Sequence, residues 1–123
     1  MSLDGRYLGT IGQGVLSSPS GFAVDGDRLW VTELHGSLAI FDADDQVIGR
    51  IGADLRRRSP DWPNIRRKGA IIRPTTVPGR FRSPHGIAVT SEGTVVITEW
   101  QAGGRVTRLV PASSNDRATG AVG

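Results

Sequence analysis

Cysteine is absent from this chain, methionine and tyrosine occur once each, and there are only two histidines. Without cysteine there is no disulfide framework and no thiol chemistry, and the redox compartment stays open. No stretch approaches the run of about 18 apolar residues that a membrane helix needs, so no membrane partner is expected. The start, MSLDGRYLG, lacks the basic and apolar regions of a secretory signal, which leaves the cytoplasm as the default expectation. What is plentiful is glycine, 17 residues beside 7 prolines, which suits many short strands joined by tight turns better than helices. At 123 residues the chain has the length of one domain with a modest core.

The net charge of +3 hides an asymmetry. Residues 50–82 carry ten Lys or Arg against Asp54 and Asp61, a balance of +8, so the remaining residues sum to −5. Basicity is a local feature of this chain.

The chain repeats itself. SPSGFAVDGDRLWVTELHGSLAIF (18–41) matches SPHGIAVTSEGTVVITEWQAGGRVTRL (83–109) position by position. Pro19 meets Pro84, Gly21 meets Gly86, and Ala23-Val24 meets Ala88-Val89. After one inserted residue Val31-Thr32-Glu33 meets Ile97-Thr98-Glu99. After two more, Gly36 meets Gly104 and Leu38 meets Val106. A second echo links YLGTIG (7–12) to IGRIG (48–52) at an offset of 40. A repeat of this kind decides architecture before any single residue does. Strands are expected over 7–12, 21–25, 28–34, 37–42, 48–52, 86–90, 94–100 and 105–111, with hairpin turns at Asp25-Gly26 and Glu92-Gly93. Consecutive apolar residues, Leu29-Trp30-Val31 and Val95-Val96-Ile97, imply strands buried on both faces. Between the copies, residues 53–81 read as a long basic loop whose prolines oppose helix and central strand, with Ile71-Ile72 as an anchor. The tail, 112–123, has almost no apolar residue and is expected to be flexible.

The pattern S-P-x-G-[IF]-A-V, a turn, [VI]-T-E and G-x-[LV], closing on a strand such as IGRIG, resembles the NHL-repeat class of β-propeller blades over residues 6–111. RFRSPHGIAV with EWQAGGRVTRL is similar to a closing blade of six-bladed propellers related to peptidylglycine amidating lyase. The resemblance implies an all-β fold of two four-stranded NHL-type blades, in which the last blade lacks its outer strand and 7–12 is an outer strand without a blade. Two blades expose apolar faces and strand edges. Two completions follow: copies joined head to tail, three of them closing a six-bladed ring, or a fragment of a longer propeller.

The same resemblance singles out His85. Histidines of Pro-His-Gly motifs from several blades bind axial zinc in the lyase family; the upstream equivalent here is Ser20. One chain offers one such ligand, so zinc at His85 requires several chains to converge, three protein ligands plus an open position being the catalytic arrangement. Otherwise His85 is an ordinary blade residue. Arg105, at the family's Gly-Arg-[IV] position, would orient a substrate carboxylate or stabilise an oxyanion, or else pair with a neighbouring acid. Glu99 and its copy Glu33 are candidates for a general base or, more simply, for ion-pair partners of Arg105 or Arg108, on the same face as His85. His35 reads as a surface residue. No residue takes the part of the lyase's metal-side tyrosine, since Tyr7 belongs to an outer strand.

The basic insertion joins an outer strand to an inner one and should emerge at the channel entrance, with Arg56, Arg57, Arg58, Arg66 and Arg67 as anion contacts and Trp62 as a stacking surface for nucleic acid. The alternative is a solvated loop whose arginines pair with the chain's own acids. Two function classes follow: a binding or scaffold propeller recognising a ligand or partner at its entrance face, and a metal-dependent enzyme resembling amidating lyase or related hydrolases.

Overall fold

The computed structural model describes residues 3–53 and 62–112. All its regular structure is β, in three antiparallel sheets, and among the described residues there is no helix. The first sheet is a four-strand meander of β1 (Pro19–Asp25), β2 (Arg28–Glu33), β3 (Ser37–Phe41) and β4 (Val47–Ile51). A hairpin of β5 (Ile65–Arg67) and β6 (Ala70–Ile72) follows. The last sheet has three strands, β7 (Pro84–Val89), β8 (Val95–Glu99) and β9 (Arg105–Leu109).

The repeat is visible in the pairing. Phe22 faces Val31 as Ile87 faces Ile97, and a register irregularity falls at Pro19/Gly21 and again at Pro84/Gly86. The core lies between the two larger sheets. Trp30 and Leu38 from one face of the first sheet meet Val95 and Ile97 from the last, with Phe81 between them and Ile40, Ile51, Ile87, Val89 and Leu109 around the margin. Burying side chains of this size contributes roughly 1.5–3 kcal/mol each. The continuous apolar run of β2 is explained here: Trp30 points into that core, and Val31 points the other way, into a second cluster with Ala39 and Phe41 against Leu16, Leu29 and Val47.

The two sheets approach most closely at their first strands. Ser20 Oγ donates to the Pro84 carbonyl at 3.0 Å, and Thr32 Oγ1 donates to the His85 carbonyl at 3.1 Å. Gly21 makes the approach possible, because a Cβ there would lie 2.6 Å from the His85 carbonyl oxygen.

Three sequence expectations need correction. Residues 7–12 form no strand; the outer place of the first sheet, beside β3, is taken by β4, and Tyr7 and Leu8 stand exposed. The insertion is not wholly a loop, since β5 and β6 pair across a two-residue turn in which Lys68 (φ 49°) and Gly69 (φ 81°) both take positive φ, the geometry that suits the twist of a hairpin. Ile71 and Ile72 do not anchor it, because both are exposed. The anchors are Phe81, buried in the core, and Trp62, whose indole N–H donates to the Arg82 carbonyl at 2.8 Å. The expected tail lies outside the described residues from 113 onward.

Candidate functional site

Of the candidates, Glu99, His85 and Arg105 sit at one end of the sheets, where β1 begins opposite the end of β2 and β7 begins opposite the end of β8, while Trp62, Arg66 and Arg67 belong to the insertion. At this end each copy of the repeat carries a buried glutamate. Glu33 Oε1 accepts from the Ser17 amide at 2.8 Å, and Glu99 Oε1 accepts from the Arg82 amide at 2.6 Å and the Ser83 amide at 3.3 Å. Ser17 and Arg82 are equivalent positions, so the carboxylate fixes the chain just before it enters each sheet.

Each glutamate is also ion-paired, but the arginine comes from a different strand in each copy. Glu99 pairs with Arg105 of β9, the neighbouring strand. In the first copy the residue at Arg105's place is Ser37, whose hydroxyl donates to Glu33 Oε2 at 2.7 Å, and the cation is Arg50, from β4. The two arginines then do the same second job. Arg50 donates to the Val15 carbonyl and Arg105 to the Arg80 carbonyl, again equivalent positions; Arg105 also donates to the Val77 carbonyl at 3.0 Å. Burial on its own would push the Glu33 carboxyl up, but the Ser17 amide, the Ser37 hydroxyl and the Arg50 guanidinium together hold it below its ordinary value.

Glu99 and Arg105 are thus brought together, with Arg105 also spread over Phe81, 5.9 Å from the ring centre. Glu99 stands cross-strand from Pro84, one residue from His85, yet its carboxylate is buried among backbone amides while His85 is exposed. Among the described residues the His85 imidazole has no hydrogen-bond or ion-pair partner, and no three His, Cys, Asp or Glu side chains converge.

A surface the sequence only half revealed lies beside this knot. The His35 ring stacks on Trp62 with centroids 4.9 Å apart and planes tilted by 36°, and Trp62 meets Trp100 edge-on at 6.3 Å. His35 Nδ1 lies 2.8 Å from Ser18 Oγ, which fixes that ring. Trp100 is 59 % exposed. The basic hairpin is tied to the same turn that follows Trp100: Asn64 Oδ1 accepts from the Ala102 amide, and the Arg73 side chain packs against Gly103. Arg66 and Arg67 on β5 are exposed, with Arg67 Nη1 donating to the Arg66 carbonyl at 3.0 Å. Arg56, Arg57 and Arg58 lie outside the described residues. The sequence singles out Trp62 as a surface for bases; its contacts with His35 and Trp100 were not legible, because those rings come from turns of different sheets.

No family model matches the chain, and no curated protein matches it in sequence.

Proposed function

We propose that this chain is a binding module built of two propeller-type blades, the first complete and the second lacking its outer strand, and that it takes an anionic ligand at the end that carries the basic hairpin. One observation carries the reading: exposed Arg66 and Arg67 stand on a hairpin fastened to the turn that follows Trp100, beside the His35–Trp62–Trp100 ring cluster. Exposed cations on a hairpin fastened near a ring cluster suit a ligand with both phosphates and flat rings, and single-stranded nucleic acid uses both halves of such a surface. The groups that would do chemistry are committed elsewhere, Glu99 and Arg105 to each other and to the backbone. Zinc at His85 would call for ligands from several chains, since among the described residues no three His, Cys, Asp or Glu side chains converge.

The test is titration with a labelled single-stranded oligonucleotide of about 16 nucleotides, with inorganic polyphosphate as the ring-free comparison. Binding is expected to weaken with salt and to lose about 0.7 of the logarithmic salt slope for each phosphate contact removed by Arg66→Ala and Arg67→Ala. Trp100→Ala should weaken the oligonucleotide and spare polyphosphate. Binding that neither the arginine variants nor Trp100→Ala alters would defeat the proposal, and stoichiometric zinc abolished by His85→Ala would favour the metal-dependent enzyme instead.

A further inference from the structure

The contact between the two larger sheets is one-sided. The last sheet presents Ile87, Val89, Val95 and Ile97; the first answers with its opposite face, Trp30, Leu38 and Ile40. Through the repeat, each of these surfaces has a duplicate elsewhere in the chain. Phe22, Val24, Leu29 and Val31 stand in the first sheet where Ile87, Val89, Val95 and Ile97 stand in the last. Val96, Thr98 and Val106 stand in the last sheet where Trp30, Thr32 and Leu38 stand in the first. The duplicates are uncovered at their key positions: Phe22 is 71 % exposed, Val24 66 % and Val106 67 %. The chain thus carries two complementary half-contacts in one use and leaves a second, matching pair open at its two ends.

Two further details repeat. Gly21 leaves the bare backbone against which His85 of β7 packs, with the Thr32 hydroxyl beside it, and at Gly86, its equivalent, the Thr98 hydroxyl takes the same place, 2.5 Å from where a Cβ would stand. Gly52 (φ +75°) closes β4, accepts from the Phe81 amide at 3.2 Å, and leaves room for the Phe81 ring, which a Cβ would meet at 2.1 Å. Gly12 (φ +74°) closes the segment 7–12 and accepts from the Leu16 amide at 2.9 Å, with Leu16 where a Cβ would meet it at 2.6 Å. Gly52 and Phe81 join the fourth strand of one sheet to the start of the next. Gly12 and Leu16 have the same geometry, so 7–12 stands to the first sheet as β4 stands to the last. It is placed as the fourth strand of a sheet that would lie in front of the first, and of the two larger sheets the last is the one without a fourth strand among the described residues, with β9 as its open edge.

We propose that the occupant of both open faces is a second copy of this chain. The open face of the first sheet of one copy packs on the open face of the last sheet of the next, and residues 7–12 of the first copy pair along β9 of the second. A copy is the partner that fits because each position already makes this contact once within the chain. Thr98 of the second copy takes the part of Thr32, its hydroxyl donating to the Ser20 carbonyl of the first copy, and His85, at Ser20's place, comes to lie in the contact. Arg108 stands where Ile40 does, a place that is only partly buried, where a long stem can cover apolar surface with its charge at the rim. The contact joins unlike faces, so it propagates head to tail and closes when the rotation permits.

Solution mass tests this. The wild-type chain is expected at two or more times 13.1 kDa. Phe22→Asp spoils one face and Val106→Asp the other; each alone should be monomeric with an unchanged circular dichroism spectrum, both positions being exposed. Mixed in equal amounts, the two variants retain one good pair of faces and should form a one-to-one dimer and nothing larger. Hydrogen exchange should show the amides of residues 7–12 protected in the wild-type assembly and unprotected in either variant alone. A wild-type monomer, assembly that survives either substitution, a mixture that stays monomeric, or unprotected amides at 7–12 in the assembly each overturns the proposal.

Discussion

At the scale of single residues, the two glutamates decide how each sheet is entered. The Glu99 carboxylate is wholly buried and meets one cation and two amides, so removing Arg105 strands a buried charge, and removing Glu99 leaves the cation and both amides without their acceptor. Breaking such a pair costs about 3–5 kcal/mol, and Glu99→Ala should lower stability by that order in a denaturant titration. A loss below about 1 kcal/mol would place the pair among exposed bridges. Glu33 makes the pH dependence. Its folded-state value is depressed, so its contribution is present above the ordinary carboxylate range and disappears as pH falls through the folded value. The stability gap between wild type and Glu33→Gln should therefore be widest near neutrality and shrink on acidification below about pH 4.3, read from thermal midpoints across that range. A gap that is constant with pH would remove the ion pair with Arg50 as its cause.

At the scale of elements, the seven strands of the two larger sheets were legible, because a repeat aligned at Pro19/Pro84 and Glu33/Glu99 fixes strand, turn and register together. For Glu99 the sequence left Arg105 and Arg108 both open as partners, and it is Arg105, cross-strand from Glu99, that pairs with it. Arg50 was not legible: the repeat points to the Arg105 position, which in the first copy is Ser37, and the charge has moved to the next strand. The β5–β6 hairpin escaped notice because Lys68 carries no turn signature of its own, although with Gly69 it makes the positive-φ turn. Phe81 and Leu16 lie just outside the matched segments, so their shared task of filling the space beside Gly52 and Gly12 appears only in three dimensions. Two substitutions separate these elements. Gly69→Ala, at φ 81°, should cost about 1 kcal/mol confined to the hairpin, speeding amide exchange in β5 and β6 while leaving the global midpoint in place, since the hairpin shares no ladder with either larger sheet. Gly52→Ala should be global, because its Cβ would stand 2.1 Å from the buried Phe81 ring at a positive φ.

At the scale of the whole molecule, the core between two sheets is shared by few fully buried side chains, while Phe22, Val24 and Val106 face outward. Association that covers them adds stability by mass action, so the thermal midpoint of the wild-type chain should rise with protein concentration while that of Phe22→Asp stays flat. Equal slopes for the two would detach the outward apolar residues from any assembly.

The displacement of the arginine from β9 to β4 acts as an address label on outer strands. The first sheet needs a fourth strand that brings a guanidinium to Glu33, and β4 brings Arg50. The residue of segment 7–12 at Arg50's place is Thr10, so that segment, folding onto the first sheet in place of β4, would leave Glu33 buried without a cation. The last sheet makes no such demand, since Arg105 already satisfies Glu99 from within. An outer strand that carries the charge belongs to the sheet that lacks it, and a neutral one is accepted only where the charge is already supplied.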